Sequence, residues 1–190
     1  MLDLSLNILD IIENSISAKA TEISVTIEMI VLKNRLHINI KDNGIGMDAE
    51  LKKMVQDPFF TTKTHRKKKV GLGIPLFKQT VENCNGKFIL QSEIGIGTEI
   101  ETVFQYDHID RMPLGKLADT FTIVIIGHPE VDFELNLRRI FLHGENKIFH
   151  FSSREVKSEL GDIPLSYPDV MMFIQQNIEE GIKKIELEEI

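Results

Sequence analysis

Asp42-Asn43-Gly44-Ile45-Gly46-Met47 is the stretch that decides the fold of this chain. It places a carboxylate directly before two glycines, at the end of a segment in which apolar and polar residues alternate. A carboxylate there can accept a hydrogen bond from an adenine amino group, and the glycines let the backbone approach a flat ring. Asn-Gly is also an ordinary turn signal. The stretch alone therefore leaves a nucleotide site and a simple tight turn open.

The chain contains three further motifs, one before this stretch and two after it. Asp10 and Asn14 are four apart in a predicted helix and so share one face, where a carboxylate can position water and an amide oxygen can ligate magnesium. Gly71-Leu72-Gly73-Ile74 presents free N–H groups at a helix start, which favours phosphate. Thr98 begins a strand and lies near Asp42 if the two strands are neighbours. Each motif alone also fits a purely structural role. The first can be a solvated helix face, the second a flexible start of a helix, and the third an ordinary strand residue.

Charge is distributed unevenly along the chain. Residues 1–106 carry 13 acidic and 13 basic side chains, whereas residues 107–190 carry 16 acidic and 9 basic, which accounts for the net charge of −7. Five cations crowd into positions 63–69, just before the Gly71 turn. They can screen phosphates, although a charge run is also typical of a solvated loop. Since no wider basic face is evident, we expect no nucleic-acid partner.

Length and composition bound the class of protein. A chain of 190 residues with 42% hydrophobic content can bury one core with a smaller appendage. It has neither a long apolar run nor a basic secretory start, so we predict a cytoplasmic protein without a membrane segment. Cys84 is the single cysteine and cannot form an intrachain disulfide, and the six histidines lack metal-ligand spacing.

The first half predicts a regular succession of elements. Apolar spacing of three and four predicts a helix over 2–17, and alternation predicts a hairpin of strands 22–30 and 35–41. A short helix follows Asp48, another opens at Gly73, and a second hairpin covers 87–92 and 98–106. This order predicts an α+β fold, a two-layer α/β sandwich in which helices cover one face of the sheet.

The second half predicts a small acidic α/β extension over residues 107–190. We expect a polar linker to Asp119, an apolar strand from Phe121 to Ile126, and further strands near 131–137 and 148–151. Helices are predicted at 153–160 and 168–184. The extension either packs on the same sheet or mediates contacts with a protein partner or a second copy.

The assembled motifs resemble the GHKL, or Bergerat-type, ATP-binding family of histidine kinase catalytic domains, gyrase-type topoisomerases and MutL repair proteins. The resemblance covers about residues 2–106. It implies that Asn14 ligates magnesium, that Asp42 recognises adenine and that Thr98 backs the adenine site. It also implies ATP-binding roles for a set of residues in the first helix, the glycine turns and the basic loop: Ala18, Gly44, Gly46, Met47, Lys63, Gly71, Leu72, Gly73 and Ile74.

Different segments resemble different branches of this family. Asp57-Pro58-Phe59-Phe60-Thr61-Thr62-Lys63, followed by the Gly71 turn, looks most like histidine kinases. Asn14-Ser15, followed by Ala18, Ala20 and Thr21, looks more like MutL. The chain as a whole is similar to small stand-alone ATP-binding proteins associated with iron-hydrogenase gene clusters.

Two departures limit what the resemblance implies. Asp10 stands where hydrolysing members carry a glutamate base, and its shorter side chain makes fast hydrolysis doubtful. No helical hairpin with a phosphoacceptor histidine precedes the module, so we do not expect a complete sensor kinase. We expect an Mg-ATP-binding protein in which ATP binding or slow hydrolysis switches residues 56–72 and a partner. Three alternatives stay open: a non-catalytic nucleotide sensor, a trans-acting protein kinase that resembles anti-sigma-factor kinases or a detached histidine kinase catalytic domain, and an interaction domain with incidental glycine turns.

Overall fold

The computed structural model describes residues 3–57 and 72–187. The first helix, α1 (Leu4–Ser17), begins where the Asp3 carboxylate accepts a hydrogen bond from the Leu6 N–H at 3.0 Å. Its apolar stripe, spaced three and four residues apart, faces the core, with Leu4 and Ile8 fully buried. The helix predicted over 2–17 is therefore confirmed over the part that the structure describes.

The remaining elements of the first half also follow the predicted order. The hairpin of β1 (Glu22–Ile30) and β2 (Arg35–Asp42) is antiparallel, and its strands alternate buried and partly exposed residues. Asp48 caps α2 (Ala49–Met54) by accepting the Leu51 N–H at 2.7 Å. The next elements are α3 (Gly73–Asn83) and the hairpin of β3 (Lys87–Glu93) and β4 (Gly97–Gln105).

The second half contains four predicted elements and one that was predicted incorrectly. The confirmed elements are the strands β5 (Asp132–Ile140) and β6 (Asn146–Ser152) and the helices α5 (Ser153–Leu160) and α6 (Pro168–Lys184). Between β4 and β5 the chain forms a helix, α4 (Leu117–Gly127).

The predicted strand from Phe121 to Ile126 is wrong, because these residues lie in α4. The segment is almost continuously apolar and rich in β-branched residues, so it carries no helical period and locally favours a strand. Packing decides the outcome: α4 contacts both α1 and α6, and it buries Phe121 and Ile125. Ile123 is the outward-facing residue, with 64% of its surface exposed.

All six strands form one sheet in the order β3-β4-β2-β1-β5-β6. Neighbours are antiparallel except β1 and β5, which are parallel. The inward residues of the central strands are apolar and pack under the helices, whereas the other face carries mostly polar and charged residues. The α+β, two-layer sandwich is therefore confirmed. Within residues 3–57 and 72–187, none of the helices combines the length and the hydropathy that a bilayer-spanning helix needs.

The extension packs on the same sheet as the first half. Its strand β5 pairs with β1 along nine residue pairs, from Glu22 opposite Asp132 to Ile30 opposite Ile140. Phe133 and Leu135 join Ile23 and Val25 in a single buried core. The end of the sheet that carries Asp42 is thus bounded by strands from both halves of the chain.

Candidate functional site

Asp42 ends β2 on the face that the helices cover, where it continues the buried series of Leu36, Ile38 and Ile40. Only 8% of its surface is exposed. Its Oδ1 accepts hydrogen bonds from the Gly44 N–H at 2.9 Å and the Thr98 N–H at 3.1 Å. Its Oδ2 accepts the Ser15 hydroxyl at 2.6 Å. Three donors therefore hold this buried carboxylate in one orientation.

The turn after Asp42 is held by its own side chains and by the neighbouring strands. Asn43 Oδ1 accepts the backbone N–H groups of Thr21 and Glu22 at 2.8 and 2.9 Å, and Asn43 Nδ2 donates to the Thr21 hydroxyl at 2.9 Å. On the other side, the Met47 N–H donates to the Ser92 hydroxyl at 2.8 Å. The turn is thereby fixed at both of its ends.

The two glycines of the turn are needed for different reasons. Gly46 has φ +67°, a left-handed conformation, and a Cβ there would lie 1.9 Å from the Glu93 carbonyl oxygen. Gly44 needs no unusual φ, but a Cβ there would lie 2.8 Å from the Ala18 carbonyl oxygen, so α1 and the turn pack in direct backbone contact.

A cavity of about 320 Å³ opens between α1, the turn, α2 and α3. Its walls are mostly apolar, with Ile40 and Ile100 from the sheet and Leu51 and Ile74 from the helices. Its polar lining consists of the charged Asp42 and the uncharged Asn14, Ser15, Ser17 and Thr98. A mostly apolar cavity with a few fixed polar groups is the usual form of a small-molecule or cofactor site.

Asp10 and Gly73 bring α1 and the start of α3 together beside this cavity. A Cβ on Gly73 would lie 2.8 Å from the Cβ and 3.1 Å from the Oδ2 of Asp10. Among residues 3–57 and 72–187, no side chain caps the first turn of α3, so the Gly73 and Ile74 N–H groups can face an anion. Partial burial raises the pKa of the Asp10 carboxyl, because loss of water disfavours the charged form.

Residues 2–108, more than half of the chain, match the family model described as histidine kinase-, DNA gyrase B-, and HSP90-like ATPase. The chain belongs to this GHKL ATPase family. The identification agrees with the site, because the matched stretch contains the α1 face, the Asp42 turn, the start of α3 and Thr98. The recognition based on the sequence motifs is therefore confirmed at the level of the family.

Curated relatives of the chain include sensor proteins and kinases. The chain is 33% identical over 93 residues to sensor protein DegM of Bacillus sp. (strain B21-2), covering 49% of this chain and 24% of that protein. It is 33% identical over 95 residues to sporulation kinase C of Bacillus subtilis (strain 168), covering 50% and 22%. The chain thus spans less than a quarter of either relative.

Among solved structures, the chain is similar to the Aquifex aeolicus MutL ATPase domain complexed with ADP. That comparison has 16% sequence identity and a TM-score of 0.41, and it covers 97% of this chain and 70% of the other.

The structure brings most of the predicted site residues together. Those that line the cavity are Asn14, Ala18, Asp42, Gly46, Met47, Ile74 and Thr98. Three others border it: Gly44 packs on Ala18, Gly73 packs on Asp10, and Leu72 precedes α3 with 49% of its surface exposed. Lys63 and Gly71 lie outside the described residues, and their predicted roles stay predictions.

The cavity offers few side chains that could ligate a metal ion. In the described ranges, no three His, Cys, Asp or Glu side chains converge where they could share a metal. Asn14 is half-buried at the cavity, and its side-chain amide makes no hydrogen bond to any described residue. Magnesium usually keeps several waters and takes one or two protein ligands plus phosphate oxygens. A single free amide oxygen at the cavity fits that pattern.

Sequence reasoning missed two hydroxyls that build the GHKL site. Ser15 is buried on the inner face of α1 and donates to Asp42, and its burial among apolar neighbours was the available signal. Ser92 lies opposite Thr98, which lies opposite Asp42, so all three share one row of the sheet. Its hydroxyl contacts the Thr98 hydroxyl at 2.9 Å. Finding Ser92 required the exact register of two hairpins.

Proposed function

We propose that this chain binds Mg-ATP, with the adenine ring in the 320 Å³ cavity and its amino group donating to Asp42. The observation that carries the proposal is the Asp42 carboxylate, which is buried, lines a mostly apolar cavity and is oriented by three donors. A carboxylate has about four acceptor positions, so one position is left for a ligand. An acceptor fixed in this way selects a ligand that presents an N–H donor.

The phosphates would extend from the adenine cavity toward the start of α3. Two observations support this direction: no described side chain caps the Gly73 and Ile74 N–H groups of α3, and the Asn14 amide bonds to no described residue. Asn14 would hold the magnesium ion, which supplies charge neutralisation at the phosphate oxygens. In the same proposal the Gly71 turn wraps the phosphates and Lys63 adds positive charge, as the family resemblance implies.

Asp10 is the candidate that positions water in any hydrolysis. Its raised pKa brings its carboxyl closer to the range in which a base is effective. We therefore expect Asp10→Asn to retain Mg-ATP affinity within about threefold and to lower turnover by about 100-fold or more, since general base catalysis typically contributes 10²–10⁴-fold. Calorimetry and phosphate release on the same sample measure the two effects.

The matched control for Asp10→Asn is Glu13→Gln, which neutralises another carboxylate on the same helix. Glu13 lies near His128, at 3.8 Å, and it is not among the cavity residues. This variant should keep both affinity and turnover. Equal turnover in Asp10→Asn and the wild type would remove Asp10 from the mechanism.

A second candidate function is phosphate transfer to another protein. It is favoured by the similarity to sporulation kinase C and by the segment from Asp57 to Lys63 that resembles histidine kinases. Incubation with γ-labelled ATP and a co-purifying protein distinguishes the candidates. Label on the protein supports a kinase, label released as phosphate supports an ATPase, and bound but intact ATP supports a sensor.

The switching part of the proposal rests on composition and resemblance. ATP would reorder residues 56–72, and the acidic extension would transmit the change to a protein partner or a second copy. The cytoplasmic location predicted from the sequence likewise stays a prediction.

The direct test of Mg-ATP binding is calorimetry of the wild-type chain with Mg-ATP and, separately, with adenosine. We expect both to bind, and Mg-ATP to bind more tightly because the phosphates gain contacts. If neither ligand binds, an interaction domain with incidental glycine turns is the better description.

A further inference from the structure

Four charged residues, which we call the β1–β5 clamp, cross-link α5 to the first residues of β1 and β5. They are Arg154 and Lys157 of α5, Asp132 of β5 and Glu22 of β1. Arg154 Nε donates to Asp132 Oδ2 at 2.8 Å, and the same guanidinium donates to Glu22 Oε1. Lys157 Nζ donates to Asp132 Oδ1 at 2.9 Å. One arginine thus bridges two strands that come from different halves of the chain.

The clamp is held firmly on the extension side. The Ser153 hydroxyl accepts the Phe133 N–H at 2.8 Å in a buried position, which fixes the start of α5 on β5. Lys157 Nζ also donates to the Val131 carbonyl oxygen at 2.7 Å. Arg154 therefore projects toward Glu22 from a helix whose position is set by two further contacts.

The backbone at Glu22 also holds the turn over residues 42–47, which we call the nucleotide turn. Asn43 Oδ1 accepts the N–H groups of Thr21 and Glu22, and the Asn43 N–H donates to the Glu22 carbonyl oxygen at 3.3 Å. The Asp132 N–H donates to the Thr21 carbonyl oxygen at 2.8 Å. The peptide that links Thr21 to Glu22 therefore lies between Asn43 on one side and the clamp on the other.

A second cleft shows that the clamp and the nucleotide turn are immediate neighbours. This cleft of about 190 Å³ is lined by Asp42 and Asn43 together with Glu22, Asp132 and Arg154. Asp42 therefore lines the adenine cavity and also the cleft that contains the clamp. Arg154 bonds to Glu22, and Glu22 bonds to Asn43, which directly follows Asp42 in the sequence. The loss of Arg154 can therefore affect the Asp42 carboxylate through two contacts.

We propose that Arg154 is a positioning residue for the nucleotide turn. By holding Glu22 against Asp132 it fixes the peptide that hydrogen-bonds Asn43, and so it orients Asp42 before the ligand arrives. The inference builds on the Mg-ATP site proposed above and gives the extension a role in it: α5 sets nucleotide affinity without touching the nucleotide. Exposed ion pairs contribute little individually, so we expect Arg154→Ala to weaken Mg-ATP binding by about threefold to tenfold.

The matched control is Arg138→Ala. Arg138 NH1 donates to Glu28 Oε2 at 3.0 Å, and so it also cross-links β5 to β1 with an exposed ion pair. Glu28 lies opposite Arg138 at the far end of the same strand pair in which Glu22 lies opposite Asp132. Both substitutions remove one cross-link between the same two strands, but only the Arg154 link adjoins the turn.

The experiment uses the wild type, Arg154→Ala, Arg154→Lys and Arg138→Ala. Calorimetry measures their affinity for Mg-ATP, and urea unfolding measures their free energy of unfolding. We expect similar stability losses for the two alanine variants and weaker nucleotide binding for Arg154→Ala alone. Arg154→Lys keeps the charge but has no planar fork to bridge two carboxylates, so its affinity should be intermediate. Unchanged affinity in Arg154→Ala, or an equal loss in Arg138→Ala, would overturn the proposal.

A measurement without nucleotide separates this inference from the proposed function. Amide exchange in the free protein should become about threefold to tenfold faster at Thr21, Glu22 and Gly44 in Arg154→Ala and stay unchanged there in Arg138→Ala. If the wild type binds no nucleotide, the proposed function fails, and the exchange rates still decide whether Arg154 orders the turn. Equal exchange in the two variants would refute the positioning role.

Discussion

Asp42→Asn should weaken Mg-ATP binding by about 100-fold or more while the fold is kept. The asparagine oxygen would remain opposite the Gly44 and Thr98 N–H groups, which are both donors. Its NH₂ group would then replace Oδ2, and the Ser15 hydroxyl can reverse and accept from it. The adenine amino group would meet a donor instead of an acceptor. An unsatisfied buried polar group costs about 1–3 kcal/mol, in addition to the lost charge-assisted bond of about 1.5–3 kcal/mol.

The measurement is calorimetry of Asp42→Asn with Mg-ATP, together with urea unfolding to show that the fold is retained. Asp107→Asn is a suitable control, because Asp107 also accepts side-chain hydrogen bonds, from Asn34 and Gln105, but lies at the opposite end of β4 from Thr98. We expect wild-type affinity in the control. Affinity within threefold of wild type in Asp42→Asn would exclude this carboxylate as the group that recognises the base.

The sequence was sufficient for the parts of the fold and site whose geometry is local. The α1 stripe follows from spacing along one helix, and both hairpins follow from alternation between turn residues. Thr98 was expected near Asp42 if their two strands are neighbours, and the structure pairs them directly across β2 and β4. In each case the decisive contacts lie within one element or between strands joined by the predicted topology.

The parts that the sequence did not predict depend on contacts between distant segments. The segment from Phe121 to Ile126 is helical because α1 and α6 enclose it, and neither contact is visible in a uniformly apolar run. Asn43 looked like a simple turn residue, yet its side chain binds the start of β1. The role inferred for Arg154 required β5 to lie beside β1, a pairing across about 110 positions of sequence between Glu22 and Asp132.

Gly46→Ala should be the most destabilising small substitution in the nucleotide turn. The new Cβ would lie 1.9 Å from the Glu93 carbonyl oxygen and 2.6 Å from the Glu93 carbonyl carbon, and Gly46 has φ +67°. Neither the strand β3 nor the turn can move away freely, because Met47 and Gly97 are both hydrogen-bonded to Ser92. Left-handed strain and overpacking each cost about 1–3 kcal/mol, so we expect the free energy of unfolding to fall by about 3–5 kcal/mol.

Gly95→Ala separates the steric clash from the backbone strain. Gly95 also has a left-handed φ, +78°, and its N–H donates to the Ile45 carbonyl oxygen at 2.8 Å, but a Cβ there would meet no atom within 4 Å. Its substitution should therefore cost only about 1–2 kcal/mol, the usual penalty for a left-handed alanine. Urea unfolding of the two variants measures the difference. Equal losses would mean that the turn and β3 do not pack against each other at Gly46, which lines the 320 Å³ cavity.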